Sequence, residues 1–139
     1  MIDKVEIKQW TIELLDQNPI LISKPQKLDI DVSSLELLEE LIRFLSLVGY
    51  SKEILTPSKS VDLAWHEFIL FTRLYQEFCK LKFGRFIHHT PDDNKKTNNR
   101  NYLKTIQKYI KYFGEPSVKI WGEFAHQEWI DSQCGSCTS

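Results

Sequence analysis

The sequence predicts an all-α fold, an irregular five-helix bundle with an extended segment between the first two helices. Apolar residues recur at helical spacing in several stretches of the 139-residue chain, and capping residues, Gly and Pro stand where such helices would begin and end. Strong strand signals are lacking. Apolar residues make up 42% of the chain and include four Trp, five Tyr and eight Phe, so a single domain of this length can bury a core.

The first predicted helix covers residues 3–16, and its apolar positions are Val5, Trp10, Leu14 and Leu15. The alternation of apolar residues near its start also allows extended structure. Pro19 and Pro25 interrupt any helix in the segment that follows, and residues 28–32 alternate between apolar and polar residues as an extended chain does. We therefore expect this segment to wrap around the helices.

The second predicted helix begins after Ser33, which forms a capping-box pattern with Glu36, and it ends at Gly49. A third helix is predicted over residues 60–83 and should be central, because its apolar arc is wide. Its inward positions are Val61, Trp65, Phe68, Phe71 or Thr72, Tyr75, Phe78 and Cys79. A fourth helix over residues 98–113 and a fifth over residues 117–131 complete the predicted bundle.

Residues 1–131 are predicted to form a single helical domain, and residues 132–139 a flexible tail that contains Cys134 and Cys137. The two-residue gap between these cysteines is typical of zinc ligands and of redox pairs. A zinc ribbon needs a second cysteine pair and a thioredoxin-like site needs a βαβ setting, and the sequence has neither. The pair is therefore assigned to the tail, with metal or redox use as the alternative.

Charge and the start of the chain restrict the class of protein. Eighteen basic and nineteen acidic residues give a net charge of −1, so no global field attracts the chain to nucleic acid or to an anionic membrane. Asp3 and Glu6 stand where a secretory signal peptide carries basic residues before an apolar run. No uncharged apolar stretch approaches the about 18 residues of a membrane span. We expect a cytoplasmic protein without membrane association.

The residues that can carry chemistry lie on and after the third predicted helix. Asp62 and His66 are four positions apart, so both side chains lie on one face of the helix. His88 and His89 follow on an extended segment, where neighbouring side chains point in opposite directions, so at most one of them easily joins the pair. The predicted set, Asp62, His66 and His88, suits a divalent metal, zinc or iron. The alternative is a buried histidine that is hydrogen-bonded to Asp62, with the later histidines in a solvated turn.

Nucleic-acid binding through the fourth helix is a second hypothesis. The basic residues of this helix form a stripe opposite its apolar face, and they are Arg100, Lys104, Lys108 and Lys111. Three aromatic residues flank the stripe, namely Tyr102, Tyr109 and Tyr112. Such a stripe can follow a phosphate backbone and stack bases, and its alternative is an ordinary solvated face.

Two enzyme classes are excluded by spacing. His66 and Glu67 begin a metalloprotease-like pattern, but Leu70 occupies the position of the second histidine ligand. Thirteen residues along one helix would separate His66 from Cys79 by about 20 Å, which is too far for a nucleophilic pair. An enzyme that uses His66 as a base remains a third hypothesis, ranked below the binding functions.

Residues 57–91 resemble the helical domain of plant glycine-rich domain-containing proteins and of uncharacterised bacterial relatives. The matching positions are Val61, Asp62, Trp65, His66, Tyr75, Cys79, Gly84, His88 and Pro91. The resemblance implies a helical fold and a site rather than a reaction, and the long glycine-rich tail of that family is absent. The sequence thus predicts a small non-enzymatic binding module, with a metal or a protein partner at Asp62, His66 and His88.

Overall fold

A computed structural model describes residues 2–22, 31–90 and 94–138, with side chains described through residue 133. These ranges contain seven helices and no strand. The helices are α1 (Lys4–Gln17), α2 (Ser34–Ser51), α3 (Lys59–Ile69), α4 (Thr72–Phe83), α5 (Lys95–Phe113), α6 (Val118–Trp121) and α7 (Glu123–Thr138). The predicted all-α class is confirmed, whereas the predicted number of five helices is wrong. Most of the extended segment predicted between the first two helices lies outside the described residues.

The first two helices begin at side-chain caps. Asp3 caps α1 by accepting a hydrogen bond from the Val5 backbone N–H (2.8 Å), and Ser33 accepts one from the Glu36 N–H (3.1 Å), as the capping pattern predicts. Helix α2 is the central helix, since it packs against α1, α3, α4 and α5. This position had been predicted for the third helix.

The predicted third helix is two helices, α3 and α4, with a break at Leu70 and Phe71. Phe71 has a ψ angle of 67°, outside the helical range, and its N–H bonds to the Phe68 carbonyl (3.0 Å). One continuous helix over residues 60–83 would be about 36 Å long. The break folds its two apolar halves onto the same core, in which Phe68 and Tyr75 are both buried.

The predicted fifth helix is also broken, into α6 and α7, by Gly122. This residue has φ 94° and ψ 174°, a backbone conformation that only glycine adopts easily. Helix α7 then runs to Thr138, through the residues predicted as a tail. Helix α5 starts at Lys95, three residues before the predicted start, because the Asn94 side chain accepts a hydrogen bond from the Thr97 N–H.

A buried carboxylate joins α2 to α5 and α6. Glu40 is 7% exposed and accepts hydrogen bonds from the Tyr109 hydroxyl (2.6 Å) and from Trp121 Nε1 (3.0 Å). Arg43, one turn further along α2, donates to the same tyrosine oxygen (2.8 Å). Burial raises the pKa of Glu40, while the nearby Arg43 guanidinium opposes that shift. This network holds α2, α5 and α6 together, and α3 packs against α2 and α6.

A close approach joins α2 to α4. Gly49, the predicted end of the second helix, lies inside α2, which continues to Ser51. A Cβ atom at this position would be 2.9 Å from the ring carbons of Phe83. The glycine is therefore needed for the contact between the two helices and not for the helix end.

Candidate metal centre

Helix α3 buries one side in the core and leaves Asp62 and His66 on the side that is partly exposed. Ser58 caps the helix by accepting a hydrogen bond from the Val61 N–H (3.2 Å). Trp65 is 5% exposed, whereas the side chains of Asp62 and His66 are 37% and 52% exposed. His66 Nε2 is 3.7 Å from Asp62 Oδ2, so the predicted pairing of these two residues is present.

A buried hydrogen-bond chain attaches the segment after α4 to α3. Trp65 Nε1 donates to the Tyr75 hydroxyl (2.8 Å), which in turn donates to the Ile87 carbonyl (2.6 Å). The Ile87 side chain is 1% exposed. Side chains alternate along an extended chain, so His89 lies on the same inward side as Ile87. His88 lies on the opposite side.

His89 completes a cluster of three potential ligands. Its Nε2 is 2.6 Å from Asp62 Oδ1 and 3.0 Å from His66 Nε2. The His89 ring packs edge-on against Trp65, with centroids 4.4 Å apart, and only 14% of its side chain is exposed. No described residue bonds to the Nδ1 of either histidine, so packing and the chain from Trp65 to Ile87 orient His89.

His88, the predicted third member, does not belong to the cluster. It is exposed, and its ring contacts Phe86 with centroids 4.6 Å apart. The third residue is therefore corrected from His88 to His89. The burial of Ile87 is the physical reason, because it turns position 89 inward and position 88 outward. The sequence carried no clear signal for this choice, because Phe86 and Ile87 are both apolar.

The geometry of the cluster fits a metal ion. One ligand atom from each of Asp62, His66 and His89 can be chosen so that all lie within 4.8 Å of one another. Ligand atoms of a tetrahedral zinc ion lie roughly 3.3–3.6 Å apart, given bond lengths of about 2.0–2.2 Å. The two Nε2 atoms are 3.0 Å apart, and the Asp62 carboxylate lies 2.6 Å from His89 through Oδ1 and 3.7 Å from His66 through Oδ2, on either side of that range. Small side-chain movements would thus suffice for three-fold coordination.

The cluster opens into a cleft of about 790 Å³. The cleft lies between the loop that joins α2 to α3, the outer edge of α3, the segment after α4 and the start of α5. The Thr56 N–H donates to the Thr105 hydroxyl (3.0 Å), which ties the loop to α5. The cluster thus forms part of the wall of a concave site, the usual setting for small-molecule binding.

The basic residues of α5 are present but lack the predicted aromatic border. Lys108 forms a salt bridge with Glu53 (3.2 Å), and Lys111 lies over the ring of Tyr112. Arg100 and Lys104 are exposed. Of the three flanking tyrosines, Tyr109 is fully buried, Tyr102 donates to the Trp121 carbonyl, and only Tyr112, at 46%, is exposed. The surface for base stacking is therefore smaller than predicted.

The cysteine of α4 is remote from solvent. Cys79 is fully buried, and burial raises the pKa of its thiol. The sequence argument against a catalytic pair of Cys79 and His66 assumed one continuous helix, and the break at Phe71 interrupts that helix. The pair is excluded by burial instead, because a nucleophile must reach its substrate and the Cys79 thiol is buried. The side chains of Cys134 and Cys137 lie outside the described residues.

Fold and site together define an all-α domain in which one acidic and two histidine side chains converge at the edge of a cleft. The chain belongs to the UCP032817-like family, whose model matches residues 7–116. Neither the curated proteins nor the solved structures include a significant match to it. Within the described residues, no helix combines the length and the apolar character that a membrane crossing demands. The resemblance to plant glycine-rich domain-containing proteins stays a prediction.

Proposed function

We propose that the protein is a small binding module that holds a divalent transition metal, zinc or iron, at Asp62, His66 and His89. The observation that carries this proposal is the convergence of the Asp62 carboxylate with the Nε2 atoms of His66 and His89, from two separate chain segments, beside an open cleft. Three protein ligands leave coordination positions for a further ligand.

The donor types support a transition metal over magnesium or calcium. Imidazole nitrogen suits zinc and iron, whereas the harder ions prefer sets made of oxygen alone. Without a metal, the Nε2 atoms of His66 and His89 face each other at 3.0 Å, and a hydrogen bond between them requires that one of the two carries a proton. A cation can instead accept lone pairs from both rings and from Asp62 at once.

Metal analysis of the intact chain, purified without a histidine tag, tests the proposal. We expect about one equivalent of zinc or iron after purification or after titration of the metal-free protein, measured by elemental analysis and calorimetry. Less than about a tenth of an equivalent, with no uptake on titration, would contradict the proposal.

Adjacent histidines offer a matched pair of variants. His89→Ala removes a proposed ligand and should weaken zinc binding by more than the about 10–100-fold that loss of an outer-shell partner costs. His88→Ala removes an exposed imidazole next to it and should leave the affinity unchanged. Equal effects of the two substitutions would show that adventitious surface histidines bind the metal.

The other hypotheses receive less support. Nucleic-acid binding through Arg100, Lys104, Lys108 and Lys111 has lost most of its aromatic border, and one of these lysines is engaged by Glu53. For an enzyme with His66 as base, the Nε2 atom of His66 faces His89 at 3.0 Å and would be occupied by the proposed metal. A protein partner that binds at the same cluster remains a proposal. The metal would then hold the segment that carries His89 in place for the partner.

A further inference from the structure

The cleft next to the candidate metal centre carries more positive than negative charge. The cationic side chains of its lining are Lys52, Lys59 and Arg85. One of the two acidic residues of the lining, Glu53, forms a salt bridge with Lys108 at 3.2 Å, so its charge is compensated. The other is Asp62, which the proposed metal would neutralise. Neither Lys52 nor Lys59 forms a salt bridge with a described residue.

Two polar residues are held at the wall of the cleft by the fold. Arg85 Nη2 donates to the Val48 carbonyl (2.9 Å), which anchors the guanidinium at the end of α2. Asn101 is only 7% exposed and lines the cleft from α5. Arg85 and Asn101 thus add polar groups to the lining of the cleft.

Part of the remaining wall is apolar. Leu55, Trp65 and Ile87 are at most 8% exposed, and all three line the cleft. The volume of about 790 Å³ lies within the range of about 300–1,000 Å³ that is usual for small-molecule sites. An inorganic ion would leave most of this space empty and the apolar wall uncovered.

We infer that the cleft binds a small organic anion. Its carboxylate or phosphate oxygens pair with Lys52, Lys59 and Arg85 and occupy the open coordination positions of the metal, and its apolar part packs against Trp65 and Ile87. The contact to the metal rests on the proposed function. The cationic lining is a property of the protein alone, so the metal-free protein retains part of the affinity.

Four probe compounds distinguish the features of the proposed ligand. Phenyl phosphate and phenylacetate each carry an anionic group on an apolar ring, phenethylamine carries a cation on the same ring, and inorganic phosphate lacks the ring. Each is titrated by calorimetry into the zinc-loaded and the metal-free protein. We expect one or both aromatic anions to bind, more tightly when zinc is present, and phenethylamine to show no binding. Inorganic phosphate should bind more weakly than phenyl phosphate.

Charge reversal tests the lining without touching the proposed metal ligands. The double substitution Lys52→Glu and Lys59→Glu, at two exposed positions, should weaken anion binding by about tenfold or more at low ionic strength. Lys80→Glu is the control, because Lys80 is exposed on α4 and does not line the cleft. It should leave anion binding unchanged.

The outcomes separate this inference from the proposed function. Zinc uptake without binding of either aromatic anion, or equal binding of phenethylamine, overturns the inference and leaves the metal proposal intact. Absence of zinc uptake overturns the metal proposal. In that case, anion binding that the double substitution weakens still supports the cationic cleft, and its absence overturns both.

Discussion

Tyr75→Phe is expected to destabilise the protein strongly, although it removes a single oxygen atom. That oxygen accepts a hydrogen bond from Trp65 Nε1 and donates one to the Ile87 carbonyl. Trp65 is 5% exposed and Ile87 is 1% exposed, so water does not readily replace the hydroxyl. Each buried group left unpaired costs about 1–3 kcal/mol, so the free energy of unfolding should fall by about 2–6 kcal/mol.

Urea unfolding of metal-free protein, followed by circular dichroism, measures this loss without a contribution from bound metal. The matched control is Tyr112→Phe, because Tyr112 is 46% exposed and its hydroxyl forms no hydrogen bond with a described residue. We expect the control to remain within about 0.5 kcal/mol of the wild type.

Tyr75→Phe should also weaken zinc binding, because the tyrosine hydroxyl fixes Ile87, two residues before the proposed ligand His89.

A loss of stability below about 1 kcal/mol, or one equal to that of the control, would refute the role of Tyr75 as the buried link between α3 and the segment after α4.

Two further substitutions test the core. Gly49→Ala should lower stability by about 1–2 kcal/mol in urea unfolding, because overpacking against Phe83 outweighs the helical preference for alanine, and a stabilised variant would contradict the close approach. Glu40→Gln tests the raised pKa of Glu40. Between the ordinary glutamate pKa of 4.5 and the higher pKa of Glu40 in the native state, the native protein binds more protons than the unfolded chain, so the contribution of Glu40 to stability declines as pH rises. The stability difference, wild type minus variant, should therefore decrease from about pH 4 toward neutral pH, and an increase would contradict the direction of the shift.

Helix positions could be predicted from the sequence where local signals set them, and helix breaks could not. Ser33 with Glu36 identified the start of α2, since a cap depends only on neighbouring residues. Phe71 carries no signal for a break, because the interruption of the third predicted helix arises from packing of both halves on one core. Gly122 did carry such a signal, yet an isolated glycine is also tolerated inside helices.

Two members of the candidate site, Asp62 and His66, could be predicted because a local signal places them together. The spacing of Asp62 and His66 is set by the helix itself and needs no tertiary knowledge. The third member depends on which side of an extended segment faces the core, and Ile87 decides that only once it is seen to be buried. Tyr109 was predicted to flank the basic stripe, although it lies three residues after Ile106 and four before Phe113 on the buried face of α5.

The position of the cluster along the chain gives the metal a further effect on folding. Asp62 and His89 are 27 positions apart, and the intervening chain contains the rest of α3, the break and all of α4. A metal bound by both residues closes this stretch into a loop, as a covalent cross-link would. By the chain-entropy estimate for a link of that length, such closure lowers the entropy of the unfolded chain by the equivalent of about 3–4 kcal/mol. The stretch from Asp62 to His89 would then remain a closed loop of chain for as long as the metal is bound.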